Sequence, residues 1–391
     1  MKILISTDTY HPHVNGASYF TQRLAHNLQA HGHEVCVIAP SESFRNSDTI
    51  INNVRVFGMY SYPILFYSKF RFCFFFFRNN HIKNIIDDFQ PDVIHLQGHF
   101  AISKMVIKVA KEKNIPLVAT NHFMPDNLVH YLPLYSIIGS TAKKLAWRDF
   151  YTTFKNVDKI TTPTETAARL IQPYFEKTIV PISCGINLSI FNSKNDGEYL
   201  RKHYGIGPLP ILLYVGRLDK EKNLDTVLHA VAKALTTINV QLVIAGTGKE
   251  KDNLIELSGK LGIRKNVVFT GFIPNEDLPN LYAIASCFII AGTAELQSIV
   301  TMEAMASGLP ILGVDALALP ELIKNKRNGF LFKHGDTNDL SEKIILIFSD
   351  KSLREVMGRE SLILISQHDM KKSIKKFEDI YAGEINRNHN T

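Results

Sequence analysis

The fold of this chain is constrained most by a pattern that occurs twice along it. Short apolar segments that end in Gly, Asp or His alternate with longer segments of helical period. This alternation is typical of consecutive βαβ units, which build a parallel sheet covered by helices. A chain of 391 residues also exceeds what one ordinary core accommodates. The sequence therefore predicts two similar α/β domains and not one long sheet.

The predicted strands fall into two sets of equal size. Those of the first half span residues 2–6, 34–39, 54–58, 93–96, 117–120 and 159–162, and those of the second half span residues 211–215, 241–245, 267–270, 287–291, 310–314 and 329–332. Helices are predicted over residues 18–31, 103–113, 164–175, 224–235, 249–261, 275–284, 299–306 and 339–348. The helical period then continues over residues 352–381, further than a terminal strand–helix unit requires.

The domain boundary is predicted near residues 180–191, where Pro181, Gly185 and Asn187 interrupt the periodicity. Residues 1–185 are accordingly expected to form an amino-terminal domain, and residues 186–365 a second domain. Residues 366–391 are expected to form a helix that returns to the amino-terminal domain.

The composition excludes several classes of protein. Hydrophobic residues make up 45% and charged residues 21% of the chain, the usual mix for a soluble globular protein. The apolar segment at the amino terminus is far shorter than the core of a signal peptide, and no segment approaches the ~20 apolar residues of a membrane-spanning helix. We therefore expect a cytoplasmic protein that does not span a bilayer. The four cysteines have no CxxC spacing and are expected to be buried thiols, not zinc ligands.

The net charge of +7 is unevenly distributed. Residues 1–185 hold 19 Lys and Arg against 13 Asp and Glu, a net of +6, whereas the remainder holds 25 against 24. This asymmetry indicates an anionic partner for the first half. The alternative is that the excess positive charge is only a solvated part of the surface and binds no partner.

Residues 294–310 carry the strongest local signal for a binding site. They contain a short helix that Ser298 can cap, and the amide groups at its amino terminus, from Ile299 onward, suit an anionic diphosphate. Glu295 precedes the helix and can face a sugar, while Glu303 lies inside it and can accept hydrogen bonds from ribose hydroxyls. Two solvated surface glutamates are the alternative, which so apolar a segment disfavours.

Two cations follow the first strand of the second half. Arg217 comes closely after that strand, and Lys222 precedes a helix that Asn223 or Asp225 can cap. Fixed cations beside a helix amino terminus would stabilise the charge that develops on a departing diphosphate. They could instead be exposed loop cations, which is the interpretation we favour for Lys220.

Glycines mark the ends of several predicted strands. Gly16 would let the backbone approach a ligand closely. The sequence around it lacks the GxGxxG spacing, which disfavours an NAD-dependent oxidoreductase. Gly246 and Gly248 fit a ligand-binding loop and a tight strand-to-helix turn equally well.

The order of these motifs resembles that of the retaining GT-B glycosyltransferases of family 4. Two glutamates separated by seven residues and followed by AMASGLPI are similar to the family's donor motif, and the resemblance covers nearly the whole chain. The other motifs that carry it are DTYHPHVNG at 8–16, DVIH at 92–95, TNH at 120–122, CGIN at 184–187 with Phe191, VGRL at 215–218 with Lys222 and Asn223, AGTG at 245–248 and FTG at 269–271.

The resemblance implies two Rossmann-like domains that face a central cleft, of which residues 1–185 bind the acceptor and residues 186–365 bind the nucleotide sugar. It also implies sugar transfer from a nucleotide with retention at the anomeric carbon. It implies neither a bound metal nor another cofactor. Arg217 and Lys222 would hold the leaving diphosphate and Glu295 the sugar. His122 would touch the donor sugar and orient the acceptor, although a lone histidine is otherwise more often structural. The residues implied in donor binding are Gly16, Gly216, Gly246, Gly271, Ser298, Ile299 and Glu303.

Two features favour a lipid acceptor. Leu-Gln-Ser at 296–298 stands where the family commonly has Phe-Gly, a variant similar to the bacterial diacylglycerol glucosyltransferases. Residues 60–83 are aromatic and basic without any acidic residue, and on a helical wheel four phenylalanines (66, 70, 74 and 77) share one side. Such a segment suits an anionic membrane surface, and a helix buried against the sheet is the alternative. The predicted acceptor or membrane residues are Tyr10, Asn15, Lys69, Arg71, Arg78, Lys143 and Lys144.

The sequence thus predicts a retaining enzyme that moves a hexose, with UDP-glucose as the leading donor, to a membrane lipid such as 1,2-diacylglycerol. The enzyme is expected at the inner face of the cell membrane, in peripheral contact with anionic lipid and without a nucleic-acid partner. One alternative is the same chemistry on a soluble, polysaccharide or protein acceptor. Another is a protein that binds nucleotide sugars without turnover.

Overall fold

The computed structural model describes residues 1–13, 15–64, 67–73, 79–122 and 135–389. The chain divides into two compact units. The amino-terminal unit comprises Met1–Ser183 together with Ser373–Thr391, and the carboxyl-terminal unit comprises Cys184–Lys372. Each unit is an α/β structure with its own sheet, as the repeated pattern predicts.

The amino-terminal unit is built on a mainly parallel sheet. Its strands are β1 Lys2–Ser6, β2 Glu34–Pro40, β3 Ser47–Ile51, β4 Val54–Met59, β5 Tyr62–Ile64, β6 Tyr67–Phe72, β7 Val93–Leu96, β8 Leu117–Thr120, β9 Lys159–Thr162 and β10 Val180–Pro181. Its helices up to the unit boundary are α1 Gly16–Ala30, α2 Asn79–Phe89, α3 Ala101–Glu112, α4 Tyr135–Phe154 and α5 Glu165–Ile171. The strand order is β10-β9-β8-β7-β1-β2-β4-β3, in which β3 is antiparallel to β4 and the other pairs are parallel.

The carboxyl-terminal unit repeats the architecture with a wholly parallel sheet. Its strands are β11 Ile211–Val215, β12 Gln241–Ala245, β13 Val267–Gly271, β14 Cys287–Ile290, β15 Ile311–Val314 and β16 Gly329–Phe332. Its helices are α6 Glu198–Tyr204, α7 Leu224–Ala234, α8 Lys251–Lys260, α9 Leu278–Ala283, α10 Ile299–Ala306, α11 Leu319–Leu322, α12 Thr337–Ser349 and α13 Lys351–Ile365. The order β13-β12-β11-β14-β15-β16 is that of a dinucleotide-binding sheet.

Every predicted strand is present, with each end within one residue of its predicted position. Continuously apolar strands of four to seven residues between helical segments are buried on both faces, which makes them easy to recognise. No helix in the described part of the chain is long and apolar enough to cross a membrane.

Where the structure describes residues 60–83, the segment is extended before residue 73 and is not the helix that the helical wheel assumes. β5 and β6 form an antiparallel hairpin in which Tyr62 pairs with Phe72 and Pro63 with Arg71. Aromatic side chains favour extended strands, and here that preference prevails over the apparent helical spacing. Residues 65–66 and 74–78, which include three of the four phenylalanines that define the wheel's apolar side, lie outside the described residues, as does the side chain of Phe70.

The predicted continuous helix over residues 352–381 is also wrong. α13 ends at Ile365, a 3₁₀ turn covers Ser366–His368, and the last helix, α14, spans Met370–His389. Asp369 separates the two because its backbone is extended (ψ 133°) and its carboxylate accepts a hydrogen bond from Lys371 N at 3.0 Å. From Ser373 onward the chain belongs to the amino-terminal unit.

Candidate functional site

The order of the strands in the carboxyl-terminal sheet determines where a ligand can bind. The first strand of the unit, β11, lies between β12 and β14. The chain therefore leaves β11 toward β12 on one side and leaves β14 toward β15 on the other side. In open α/β sheets such a switch point leaves a crevice at the carboxyl ends of the strands. Arg217 and Lys222 follow β11, and Glu295 follows β14, so the topology brings the three predicted residues to this crevice.

Lys222 and Glu295 form an ion pair, with Nζ 2.7 Å from Oε1. Their side chains are only 19% and 18% exposed. Burial favours the neutral amine, but the charge of Glu295 and its hydrogen bond outweigh burial and raise the pKa of Lys222. Lys222 is therefore protonated at neutral pH. A Cβ at Gly292 would lie 3.3 Å from Lys222 Cδ and 3.4 Å from Glu295 Oε1, so a larger residue there would crowd the pair.

Arg217 is fixed beside this pair by two acidic side chains. Its Nη2 donates to Glu221 Oε1 at 2.7 Å, and its Nη1 contacts Asp219. Glu221 Oε1 also lies 3.8 Å from Lys222 Nζ. Arg217 and Lys222 are thus held in a network and are not exposed loop cations, whereas Lys220 is exposed as predicted.

Asn223 occupies the cap position of α7, but the predicted side-chain cap is wrong. Its backbone is left-handed (φ 50°) and its side chain makes no capping hydrogen bond. Nδ2 instead donates to Ala291 O at 3.0 Å, which ties the loop after β11 to the end of β14. Asp225 lies in the first turn of α7, where its charge favours the helix dipole without capping it.

The amino terminus of α10 matches the prediction. Ser298 Oγ accepts a hydrogen bond from Thr301 N at 3.3 Å, and the amides of Ile299 and Val300 belong to the half-exposed first turn. Glu303 is buried and accepts a hydrogen bond from the Tyr282 hydroxyl at 3.2 Å, so it is not a solvated surface residue.

The glycines predicted to bind the donor are explained by different features of the structure. A Cβ at Gly246 would lie 1.8 Å from Gly216 O, so close packing of two backbones already explains Gly246. Gly271 has a left-handed φ of 75°. Gly16 is the first residue of α1, and none of the described atoms lies within 4 Å of where its Cβ would be. Packing in the described part of the chain does not explain Gly16.

In the amino-terminal unit, His122 lies at the corresponding edge of the sheet. Its Nε2 lies 2.9 Å from Gln97 Oε1, and because an amide oxygen only accepts, the ring nitrogen donates. The imidazole packs on the ring of Phe20 with centroids 4.6 Å apart. Burial lowers the pKa of His122 to about 3, so the ring is neutral at physiological pH.

His95 and His99 lie in the interior, in keeping with structural roles. His95 Nδ1 lies 2.6 Å from the Tyr381 hydroxyl and Nε2 2.7 Å from Thr120 Oγ1. Burial, followed by the neighbouring His122, lowers the pKa of His95 to about 3. Among the described residues, no group of three or more His, Cys, Asp or Glu side chains is arranged to hold a metal ion.

Asp8 is a buried acid at this edge that no motif had selected as a site residue. Its Oδ1 accepts a hydrogen bond from Ile102 N at 3.1 Å, at the amino terminus of α3. Burial raises the pKa of Asp8 to about 6 despite this bond. An acidic residue two positions beyond an apolar strand is the signal in the sequence that could have identified it.

The predicted acceptor residues are only partly accounted for. Asn15 caps α1 through a 2.9 Å hydrogen bond from Ser18 N, and Tyr10 is buried, which raises the pKa of its hydroxyl to about 12. Arg71 donates to Ser61 through Nε at 2.7 Å and Nη2 at 3.0 Å, so it points into the protein.

The remaining predicted cations divide between exposed and undescribed positions. Lys143 and Lys144 are exposed on α4. Arg78 and the side chain of Lys69 lie outside the described residues.

Two family models match the sequence. The model described as Glycosyltransferase Family 4 matches residues 14–190, and the model described as Glycosyl transferases group 1 matches residues 198–362. Together they cover both units.

Known proteins are similar over almost the full length of the chain. An alpha-monoglucosyldiacylglycerol synthase of Streptococcus pneumoniae is 30% identical over 96% of this chain and 85% of its own length. Its counterpart in Acholeplasma laidlawii is 26% identical over 100% of this chain and 98% of its own. N-acetyl-alpha-D-glucosaminyl L-malate synthase of Bacillus anthracis is 25% identical over 97% of both chains.

Solved structures share the fold at lower identity. A sucrose-phosphate synthase of Thermosynechococcus elongatus aligns with a TM-score of 0.80 at 17% identity, over 98% of this chain and 99% of that one. Anabaena HepE in complex with UDP and glucose aligns with a TM-score of 0.77 at 18% identity, over 98% and 99%.

Proposed function

We infer the reaction from the family of the protein. This chain belongs to the group 1, family 4 glycosyltransferases and has the GT-B fold that its motifs predict. It is a sugar transferase. We propose that it moves a hexose from a nucleotide diphosphate, UDP-glucose in the first instance, to a membrane lipid such as 1,2-diacylglycerol, with retention at the anomeric carbon.

The observation that carries the proposal is the charged network of Arg217, Lys222 and Glu295 at the switch point of the carboxyl-terminal sheet. Both cations are held by acidic neighbours before any ligand binds, and fixed charges need little reorganisation when a diphosphate departs. The half-exposed first turn of α10 offers amides to the same anion. The complex of the similarly folded HepE with UDP and glucose supports a nucleotide-sugar donor.

In the proposed mechanism the diphosphate leaves toward Arg217 and Lys222 as positive charge develops at the anomeric carbon. Glu295 holds sugar hydroxyls, and Glu303 accepts hydrogen bonds from the ribose. A leaving phosphate oxygen takes the proton of the acceptor hydroxyl as the new bond forms on the same face. The donor C–O bond breaks, the new glycosidic bond forms, and the nucleotide diphosphate carries the proton away. His122 orients the reacting groups as a neutral imidazole.

A lipid acceptor is supported by the names of the two diacylglycerol relatives and by a surface of the amino-terminal unit. We call this surface the α4 patch. It consists of Lys144, Leu145, Trp147 and Tyr151 on α4, with Tyr174 from the turn after α5. Leu145 is 59%, Tyr151 40% and Tyr174 48% exposed.

Aromatic and cationic groups are combined within the α4 patch. Trp147 stacks on Tyr174 with centroids 4.6 Å apart, and Lys155 Nζ lies 5.8 Å from the Tyr151 ring. Exposed rings beside lysines suit the interface of an anionic bilayer, where each cation contributes about 1 kcal/mol. The α4 patch thus supports our proposal that the enzyme acts at the inner face of the cell membrane.

The test is a transfer assay in which donor and acceptor are varied separately. UDP-glucose, UDP-N-acetylglucosamine and GDP-mannose are each supplied with phosphatidylglycerol vesicles that contain or lack diacylglycerol, and products are identified by mass spectrometry and by the anomeric coupling in NMR. The proposal expects an α-glucosyl lipid from UDP-glucose. Transfer to a soluble acceptor without vesicles would contradict the lipid acceptor, and donor binding without any transfer would indicate a non-catalytic protein.

A further inference from the structure

We propose that Gln97 is a positioning residue that holds His122 in its Nε2–H tautomer, so that Nδ1 accepts a hydrogen bond from a substrate hydroxyl. This inference rests on the proposed function because it concerns the same reaction. It adds which nitrogen of His122 carries the proton and which residue decides it.

The fold brings the two side chains together. β7 and β8 are parallel neighbours, with Leu96 paired with Ala119, so the residues that follow these strands emerge side by side at the carboxyl edge of the sheet. Gln97 comes directly after β7 and His122 two positions after β8. Gln97 is 5% exposed, and its Oε1 lies 2.9 Å from His122 Nε2.

The protonation of the ring follows from its surroundings. Among the described residues, Phe20 of α1 packs on the His122 ring and Gln97 contacts its Nε2, and neither side chain carries a charge. Burial keeps the imidazole neutral at physiological pH, and no charge of the described residues opposes this effect, so the ring must adopt one of two tautomers. With Nδ1–H, the lone pairs of Nε2 and Gln97 Oε1 would face each other at 2.9 Å. With the Gln97 amide oriented so that Oε1 faces the ring, Gln97 therefore selects Nε2–H.

This choice leaves Nδ1 as an acceptor. None of the described residues donates a hydrogen bond to Nδ1, and the His122 side chain is partly exposed. A lone pair at this position suits a hydroxyl group, which donates one hydrogen bond. Hydroxyls are the polar groups that a hexose and a diacylglycerol share, so the ligand of Nδ1 is a hydroxyl of the sugar or of the acceptor.

Two substitutions separate positioning from packing. Gln97→Met keeps the volume and removes the acceptor, so neither tautomer is favoured. Gln97→Glu keeps an acceptor toward Nε2 and adds a negative charge, so the tautomer is retained while the pKa of His122 rises. We measure the tautomer by NMR of the full-length protein with ¹⁵N-labelled histidine, and assign His122 from the spectrum of His122→Gln.

The expected spectra show Nε2–H in the wild type and in Gln97→Glu, and a tautomer mixture in Gln97→Met. Sugar transfer should fall at least about twofold in Gln97→Met, because about half of the molecules then carry the proton on Nδ1. Gln97→Glu should be as active as the wild type at high pH. Its activity should fall as the pH falls, because a protonated Nδ1 no longer accepts a hydrogen bond from the substrate hydroxyl. UDP affinity should stay within twofold in both variants.

Two results would overturn the assignment: Nδ1–H in the wild type, or a Gln97→Met protein with an unchanged tautomer. A pH profile of Gln97→Glu identical to that of the wild type would also contradict it. The spectra do not depend on turnover, so a wild type that transfers no sugar refutes the proposed function while the role of Gln97 is still decided. If the wild type transfers sugar and Gln97→Met changes neither the tautomer nor the rate, only the positioning role is refuted.

Discussion

At the residue scale, the candidate site is defined by charges that compensate one another before a ligand arrives. Lys222 neutralises Glu295, and Glu221 lies between Arg217 and Lys222. A donor diphosphate would add negative charge to this network, which the two cations are positioned to balance. We therefore expect removal of the Lys222 side chain to cause the largest fall in the rate of sugar transfer.

Lys222→Ala is predicted to lower kcat by about 10²- to 10³-fold, the usual loss when one electrostatic group at a developing charge is removed. Lys220→Ala is the matched control, since Lys220 is an exposed lysine in the same turn. It should remain within twofold of the wild type. Equal losses in the two variants, measured by steady-state transfer from UDP-glucose, would show that general positive charge matters and not the Lys222–Glu295 pair.

Asp8 gives a pH-dependent prediction for stability. Its pKa rises from 3.8 to about 6 on folding, so the folded state holds the proton more tightly and stability is lost as pH rises through this window. Asp8→Asn removes the cost of the buried charge. The difference in the free energy of unfolding between the variant and the wild type should be roughly 1–2 kcal/mol larger at pH 8 than at pH 5, in favour of the variant. Calorimetric Tm values at both pH values test this, and an offset independent of pH would contradict it.

At the element scale, the βαβ pattern predicts the strands better than the helices. The strands are short, apolar and buried, and their ends coincide with turn residues. The β5–β6 hairpin is not predicted because its aromatic residues satisfy a helical spacing by chance. The break at Asp369 is not predicted because one cap residue inside an amphipathic stretch looks like a surface position.

A matched pair of glycines tests the packing of the loops after β11 and β12. Gly246→Ala would place Cβ 1.8 Å from Gly216 O, so one backbone must move. Gly259→Ala adds a methyl group on α8 with none of the described atoms within 4 Å. The first change should lower Tm by several degrees. The second should leave Tm unchanged or raise it slightly, and the reverse order in calorimetry would contradict this account of the loops.

The site was predictable to the extent that sequence order alone places residues at the carboxyl ends of strands. Arg217, Lys222, Glu295 and Ser298 follow from that rule together with the resemblance. Asp8 and Gln97 were not predicted, because their importance depends on burial and on partners from other strands. Pairing across a sheet is set by the strand order, which the pattern of strands and helices does not contain.

At the scale of the whole molecule, the uneven charge and the α4 patch predict how the protein meets a membrane. Tyr151→Ser with Tyr174→Ser should reduce flotation with phosphatidylglycerol vesicles severalfold, and binding of the wild type should weaken as salt is raised. Leu346→Ser is the control, because Leu346 is 49% exposed on α12 of the carboxyl-terminal unit. Equal binding by the double variant and the control would contradict a membrane role for the α4 patch.

We propose that the carboxyl-terminal unit binds a diphosphate with Arg217, Lys222 and the first-turn amides of α10. A crystal structure with UDP bound is the direct test of this arrangement. We expect phosphate oxygens within hydrogen-bond distance of both cations and of the α10 amino terminus, with the ribose hydroxyls on Glu303. Phosphates bound elsewhere, with the Lys222–Glu295 pair left as it is without ligand, would contradict it.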